Sequence, residues 1–190
     1  FKLPARAERS ETIVSYLRLG FRHIFGGFDH LLFIAGLVLL VRSRRALLAT
    51  VTAFTLGHAL TLSCAALGFV RPPVAPIEVA IAASVFWLAV ELADRTERTL
   101  RPARLAFGFG LLHGFGFAAA LSEGGLPSVD VPLALASFNA GIELGQLAFV
   151  GVLLVCVPAL RRLERPLAYA FGAVAGFWLI ERSLVALGLG

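Results

Sequence analysis

Methionine is absent from all 190 residues, and the sequence also has few charged side chains, one lysine and two cysteines. Only 15% of the residues are charged and 58% are hydrophobic, whereas a soluble globular domain has about 25% charged and about 45–50% apolar residues. A soluble fold would have too little polar sequence to cover its surface. The composition therefore predicts one domain solvated by lipid. The lack of methionine predicts that an N-terminal portion precedes Phe1 in the translated protein.

The scarce cysteines and the excess of arginine exclude two further classes of protein. Cys64 and Cys156 both lie in apolar runs, where a free cysteine behaves as a small buried hydrophobe, so they predict no disulfide framework and no cysteine metal site. Of the 17 basic residues, 16 are arginines that lie between apolar blocks. This arrangement is typical of membrane topology signals and predicts no nucleic acid partner.

Six apolar blocks follow one another along the chain, each near the length of about 17–25 residues that a helix needs to cross the hydrocarbon. Short separators rich in arginine or proline divide the blocks, and the alternating pattern of membrane β-strands is missing. The sequence therefore predicts an all-α membrane protein, a bundle of about six transmembrane helices in the lipid bilayer. The blocks lie at 25–41, 46–70, 77–93, 103–121, 132–157 and 166–188.

The N-terminal part differs from the blocks in its composition. Residues 9–22 mix arginines with apolar residues in a pattern typical of an amphipathic helix that lies in the membrane interface. We therefore divide the chain into an N-terminal extracytoplasmic, interfacial segment, 1–22, and a six-helix transmembrane domain, 23–190.

The arginines also predict an orientation in the membrane. They are concentrated in the first, third and fifth connections between blocks, while the second connection holds only Arg71 and the fourth holds none. By the positive-inside rule the odd connections are cytoplasmic, so both termini and the 122–131 loop are predicted outside. The residues that carry this prediction are Arg42, Arg44, Arg45, Arg95, Arg98, Arg101, Arg104, Arg161, Arg162 and Arg165.

A small set of polar side chains lies inside the blocks, in the outer half of the predicted bilayer. Ionisable groups are costly at that depth and usually face a protein interior or a wet cavity. Imidazole and carboxylate together suit Ni²⁺, Co²⁺, Zn²⁺ or Fe²⁺, so we expect the set to converge on a divalent metal site. The alternative is that the imidazoles are hydrogen-bonded struts between helices. The set is Asp29, His30, His58, His113, Asn139 and Glu143.

Four stretches of the sequence carry recognisable motifs. Residues 23–30 read His-Ile-Phe-Gly-Gly-Phe-Asp-His, and further motifs lie at 54–62, 109–114 and 138–146. These stretches resemble the second branch of the HupE/UreJ family of bacterial membrane proteins, whose opening signature is His-Pro-x-x-Gly-x-Asp-His. The resemblance covers about residues 20 to 185.

The resemblance implies a function and a location. Members of the family are associated with nickel or cobalt uptake for hydrogenase and urease maturation, which implies transport of such an ion across the bacterial inner membrane. The resemblance places His23, Asp29, His30 and His113 on the family motif. It also matches the branch pattern at His58, Asn139 and Glu143, so the implied metal site consists of His23, Asp29, His30, His58, His113, Asn139 and Glu143.

Three functions stay open at this point. The first is a permease for Ni²⁺, Co²⁺ or Zn²⁺, with no catalytic residue. The second is an intramembrane metal-dependent hydrolase, in which Glu143 is the general base for a metal-bound water. The third is a structural or assembly subunit, in a homo-oligomer or a larger membrane complex. A cavity open to both sides is expected for transport, a cavity open only outward for hydrolysis, and a packed interior for the third.

Overall fold

The computed structural model describes residues 9–71, 73–94, 101–124 and 130–189, and within these ranges the chain is all-helical, as predicted. A 3-10 turn, Arg161–Leu163, joins the last two helices. The α-helices are α1 (Arg9–Gly26), α2 (Phe28–Leu40), α3 (Arg44–Ala66), α4 (Val74–Ala93), α5 (Pro102–Gly124), α6 (Val131–Leu160) and α7 (Glu164–Ala186).

Within the described ranges, three stretches are long and apolar enough to cross a membrane, namely α3, α4 and the stretch Val131–Ala186, which contains α6 and α7. The last stretch has 56 residues. As one helix it would extend roughly 84 Å, far beyond a hydrocarbon core of about 30 Å. The helices α1 and α2, bent by 75° at their junction, form a fourth candidate span if they are counted together. The chain is therefore a helical protein with membrane-spanning capacity, and the number of six crossings stays a prediction.

The first predicted span, 25–41, is wrong as a single helix. The helix α1 ends at Gly26, and Gly27 has an extended backbone with φ −98° and ψ 102° before α2 begins. Two adjacent glycines are poor helix formers, which favours a break at this point. Since α2 has 13 residues, it extends only about 20 Å and reaches part of the way across a bilayer.

The helix α1 packs along α6 in a parallel orientation. Arg9 Nε lies 3.3 Å from the Asp130 carboxylate near the start of both helices, and Gly145 contacts Ile24 near the end of α1. Between these points Gly20 is buried against the backbone of Phe138. The predicted interfacial position of 9–22 stays a prediction, and residues 1–8 lie outside the described ranges.

A second parallel pair is formed by α3 and α5. Gly110 lies against the backbone of Phe54, and Gly114 lies against the backbone of His58. Two small residues four positions apart allow the close approach of helix backbones that is common in membrane proteins. The sequence predicted such packing for this glycine-rich helix, although a Cβ atom at Gly108 would meet no atom of the described residues within 4 Å.

The helices α4 and α7 pack in antiparallel orientation. Gly172 contacts Ala89, Gly176 contacts the Phe86 ring, and Arg182 lies beside the start of α4. The start of α4 and the end of α7 therefore lie at one end of the bundle, which we call the cavity end. Arg95, Arg98 and residues 125–129, which entered the predicted orientation, lie outside the part of the chain that the structure describes.

Candidate metal site

Three imidazoles lie close together at the junction of α1 and α2. One ring nitrogen from each of His23, His30 and His58 lies within 4.8 Å of a ring nitrogen of the other two. The centroid of the His23 ring lies 4.7 Å from that of His30 and 5.8 Å from that of His58. On one continuous helix the seven-residue spacing of His23 and His30 would have placed them on one face. The bend at Gly27 instead brings the two rings edge to face.

A fourth imidazole, that of His113 on α5, borders these three. Its ring centroid lies 4.9 Å from that of His30, and only 1% of the residue is exposed. The neighbouring Gly114 holds α5 against the backbone of α3 at His58, which explains why the two helices present their histidines side by side. We call His23, His30, His58 and His113 the imidazole cluster.

Hydrogen bonds define the tautomers of His30 and His58. His30 Nδ1 lies 2.9 Å from the Asp29 Oδ1 carboxylate oxygen, which can only accept. His58 Nδ1 lies 3.4 Å from Asn139 Oδ1, while the Asn139 amide nitrogen donates to the Leu135 carbonyl at 2.8 Å. Both Nδ1 atoms therefore carry the hydrogen, which leaves the lone pair on Nε2.

The same reasoning gives the opposite tautomer for His113. Ser84 Oγ donates its hydrogen to the Ile81 carbonyl at 2.7 Å, so toward His113 Nε2, 3.5 Å away, it can only accept. This contact favours the tautomer with the hydrogen on His113 Nε2 and the lone pair on Nδ1.

The nitrogens left with a lone pair are the ones that lack a partner. His30 Nε2, His58 Nε2 and His113 Nδ1 are buried and have no hydrogen-bond partner among the described residues, and His23 Nε2 is in the same state. Buried polar atoms are normally satisfied, so four unpartnered nitrogens in one cluster require an explanation. A divalent transition metal binds neutral imidazole through such a lone pair, and an acceptor on the other ring nitrogen is the usual arrangement around metal-binding histidines.

Asp29 takes part in the site through His30 and Arg182. Its Oδ1 accepts from the side chain and from the backbone N–H of His30, both at 2.9 Å, and its Oδ2 lies 3.6 Å from Arg182 Nη2. Gly27 makes this arrangement possible, because a Cβ atom there would collide with His30 Nδ1. In this geometry Asp29 orients the His30 ring.

The two remaining predicted site residues lie on α6, and the structure places them differently. Asn139 contacts the imidazole cluster through His58. Glu143, one helical turn further along, accepts hydrogen bonds from Thr52 at 2.6 Å and from Thr55, both on α3. The contacts of Glu143 are therefore with hydroxyl groups at the α3–α6 interface.

A cavity of about 310 Å³ leads to the cluster from the cavity end of the bundle. His23, His30 and His113 line it together with Asp29, and Glu78 and Arg182 contribute from the start of α4 and the end of α7. Glu78 is exposed. The cavity connects three of the four imidazoles with one end of the molecule.

A layer of phenyl rings closes the opposite side. Phe33 follows His30 by three residues on α2, while Phe54 and Phe109 each precede a cluster histidine by four residues on α3 and α5. The Phe33 centroid lies 5.2 Å from that of Phe54 and 5.6 Å from that of Phe109. We call these three residues the phenyl layer.

Two charged residues that line the cavity, Glu78 and Arg182, are not among the site residues that the sequence predicts. Glu78 lies in the first turns of α4, where the helix dipole favours a carboxylate whether or not it belongs to a site, so its position alone does not select it. Arg182 lies inside the apolar block 166–188, so the cost of an intramembrane charge, which selected the histidines, would have selected it too.

The family model described as HupE / UreJ protein matches residues 2–187. No curated protein and no solved structure matches the chain significantly. The family match spans all four histidines of the imidazole cluster, the phenyl layer and Arg182. Because it covers nearly the whole length, the chain belongs to the HupE/UreJ family.

Proposed function

We propose that the protein is a membrane permease for a divalent transition metal of the nickel and cobalt type, and that the ion binds at His23, His30 and His58. The observation that carries the proposal is the set of buried imidazole nitrogens that have a lone pair and no partner. Hydrogen-bonded struts would use both nitrogens of each ring, so unpartnered nitrogens favour a ligand role over the strut interpretation.

The route of the ion follows from the position of the cavity. An ion enters from the cavity end, passes Glu78, and exchanges water for imidazole at the cluster. Passage to the other side requires the phenyl layer to separate. In this proposal the broken span α1–α2 moves against the other helices, because transporters commonly build midplane sites from interrupted helices whose halves rearrange.

The membrane arrangement is part of the same proposal. In this arrangement α1 belongs to the bundle and does not lie in the membrane interface. The helices α1 and α2 form one broken span and α3 to α7 form one span each, which gives six crossings of the bacterial inner membrane. Both termini are then outside, as the positive-inside rule predicts, and the cavity faces outward.

Metal retention by the purified protein tests the site. The protein in detergent is loaded separately with Ni²⁺, Co²⁺ and Zn²⁺ at neutral pH, desalted and assayed for metal. We expect it to retain at least one of these ions, and we expect His58→Ala to lose it. Gln146→Ala is the matched control, because Gln146 is also buried but hydrogen-bonds to Thr55 outside the cluster.

Acidification should release the ion, since protonated imidazole has no lone pair for a metal.

Transport is tested in liposomes that contain the protein and a trapped fluorescent metal indicator. We expect the retained ion to enter these liposomes faster than it enters empty ones, and His58→Ala to remove the difference. Failure of the wild-type protein to retain any of the three ions would refute the metal site. Retention without entry would refute the permease.

A metal-dependent hydrolase is the second candidate, and the closed phenyl layer favours it, since a cavity open at one end is expected for hydrolysis. In this candidate Glu78, which lines the cavity, replaces Glu143 as the general base, because Glu143 is engaged by hydroxyls of α3. A protein that retains zinc, fails to transport it and cleaves a substrate with dependence on Glu78 would support the hydrolase.

A further inference from the structure

The cavity beside the imidazole cluster is larger than a metal ion requires. Its volume is about 310 Å³, whereas one water molecule takes about 30 Å³ in the liquid. Sites for small molecules begin at about 300 Å³. The space therefore fits a small molecule in addition to an ion.

Arg182 contributes a guanidinium group to the wall of this cavity. Nη1 donates to the Glu78 backbone carbonyl at 3.2 Å, and Nη2 lies 3.6 Å from the Asp29 carboxylate. The second distance exceeds the roughly 2.7–2.9 Å of a charge-assisted hydrogen bond. The side chain is 23% exposed. A guanidinium offers five N–H donors in a fork that matches a carboxylate or a phosphate, and these two contacts engage only part of it.

The charges around the site are unbalanced once a dication binds. Asp29 and Arg182 neutralise each other, and neutral imidazoles bring no charge, so a divalent ion adds two positive charges to the interior of the cavity. Glu78 is exposed and compensates weakly. Uncompensated charge away from water is costly, which favours an anion near the ion.

The coordination of the metal leads to the same requirement. His23, His30 and His58 supply three nitrogens. A tetrahedral metal with three protein ligands has one open position, which water or another ligand takes. An oxygen of a bound anion would fill this position.

We infer that the cavity binds a small oxyanion, a carboxylate or a phosphate, together with the metal ion. One oxygen of the anion takes the open position on the metal, and another accepts hydrogen bonds from Arg182. This inference rests on the proposed metal site, and it identifies a small oxyanion as the species that binds together with the ion. Arg182 is then a binding residue for the anion.

Cobalt absorption provides the test, because the visible d–d bands of Co²⁺ change when a ligand on the metal is exchanged. Protein loaded with Co²⁺ is titrated with acetate and, separately, with inorganic phosphate at constant ionic strength. We expect a saturable change in at least one titration. In Arg182→Gln the apparent Kd for that anion should rise about tenfold or more, as expected for the loss of charge-assisted hydrogen bonds. Arg162→Gln, an exposed arginine remote from the cavity, is the control and should leave the Kd unchanged.

The outcomes separate this inference from the proposed function. If Co²⁺ binds but neither anion changes the bands, or if Arg182→Gln responds as the wild type does, the anion site is refuted and the metal site stands. If the protein retains none of Ni²⁺, Co²⁺ and Zn²⁺, the metal site and the anion site are both refuted. If it retains Ni²⁺ or Zn²⁺ but not Co²⁺, the anion titrations are followed through the affinity for the retained ion. A second measurement needs no variant: by linkage, the anion must raise the affinity for Co²⁺ by the factor by which Co²⁺ raises the affinity for the anion. A Co²⁺ affinity that acetate and phosphate leave unchanged would also refute the inference.

Discussion

Gly27 is the residue on which the geometry of the imidazole cluster depends most directly. Its backbone is extended, and it adjoins the Asp29–His30 hydrogen bond so closely that a Cβ atom would collide with His30 Nδ1. Either the His30 ring or the start of α2 must move to accept any larger residue.

Replacement of Gly27 by alanine should therefore weaken metal binding more than it weakens the fold. Loss of the partner that orients a metal-binding histidine typically costs about 10–100-fold in affinity. We expect a loss of this size for Gly27→Ala, measured by competition with a metal indicator. Gly26→Ala is the matched control, since a Cβ at Gly26 meets no atom of the described residues within 4 Å. Equal affinities of the two variants would contradict the assigned role of Asp29 and His30.

The sequence predicted those residues of the site that are polar and lie deep inside an apolar block. The cost of intramembrane polar groups selected His30, His58 and His113, and the structure places them in one cluster. His23 entered only through the resemblance, because a helix continued to residue 23 could not be inferred from hydropathy. The tautomers of these histidines could not be predicted from the sequence, since they depend on which acceptor faces each ring.

Glu143 illustrates the same restriction. Its depth on α6 resembles that of the histidines, and it shares a helix face with Asn139. Depth does not say which neighbouring helix a side chain meets. In the structure that neighbour is α3, where Thr52 and Thr55 donate to the carboxylate.

Among the helices, the parallel pair α3–α5 makes its closest contacts at glycines. Gly110 lies where a Cβ atom would press on the Phe54 carbonyl oxygen, and Phe54 belongs to the phenyl layer. The separation of the two helices is therefore set by backbone contact.

Gly110→Ala should lower the stability of the protein, because overpacking a close contact costs about 1–3 kcal/mol. In Gly108→Ala, two residues earlier on the same helix, the added Cβ meets no atom of the described residues within 4 Å. This change should be neutral or stabilising by up to about 1 kcal/mol, since alanine favours a helix. Thermal unfolding midpoints in detergent compare the two variants. A midpoint for Gly110→Ala at or above that of Gly108→Ala would argue against close packing of α3 and α5.

The helices themselves were largely predictable, whereas one break was not. The five blocks from 46–70 to 166–188 each coincide with a helix to within a few residues, because apolar runs of this length form helices in lipid. The break at Gly27 escaped prediction because apolar residues continue on both sides of it. Hydropathy indicates whether a segment lies in an apolar environment, and it does not indicate where the helix in that segment bends.

For the whole molecule, the predicted orientation can be tested by labelling. In a variant without Cys64 and Cys156, a cysteine in place of Arg71 should react with a membrane-impermeant maleimide in cells whose outer membrane has been made permeable. A cysteine in place of Ser43 should react only after the inner membrane is opened. Both positions are exposed. The reverse pattern would invert the orientation and place the cavity on the cytoplasmic side.

The parallel packing of α1 on α6 has a consequence for how the protein is made. Two helices that form a hairpin are antiparallel and can pair as soon as both have been synthesised. The partner of α1 is α6, and its contacts lie about 120 residues later in the chain, as the Arg9–Asp130 ion pair shows. Contacts of such long range form late because closing the intervening loop has an entropic cost. His23 lies on α1, so the proposed metal site is completed in a nascent chain only after α6 has been synthesised.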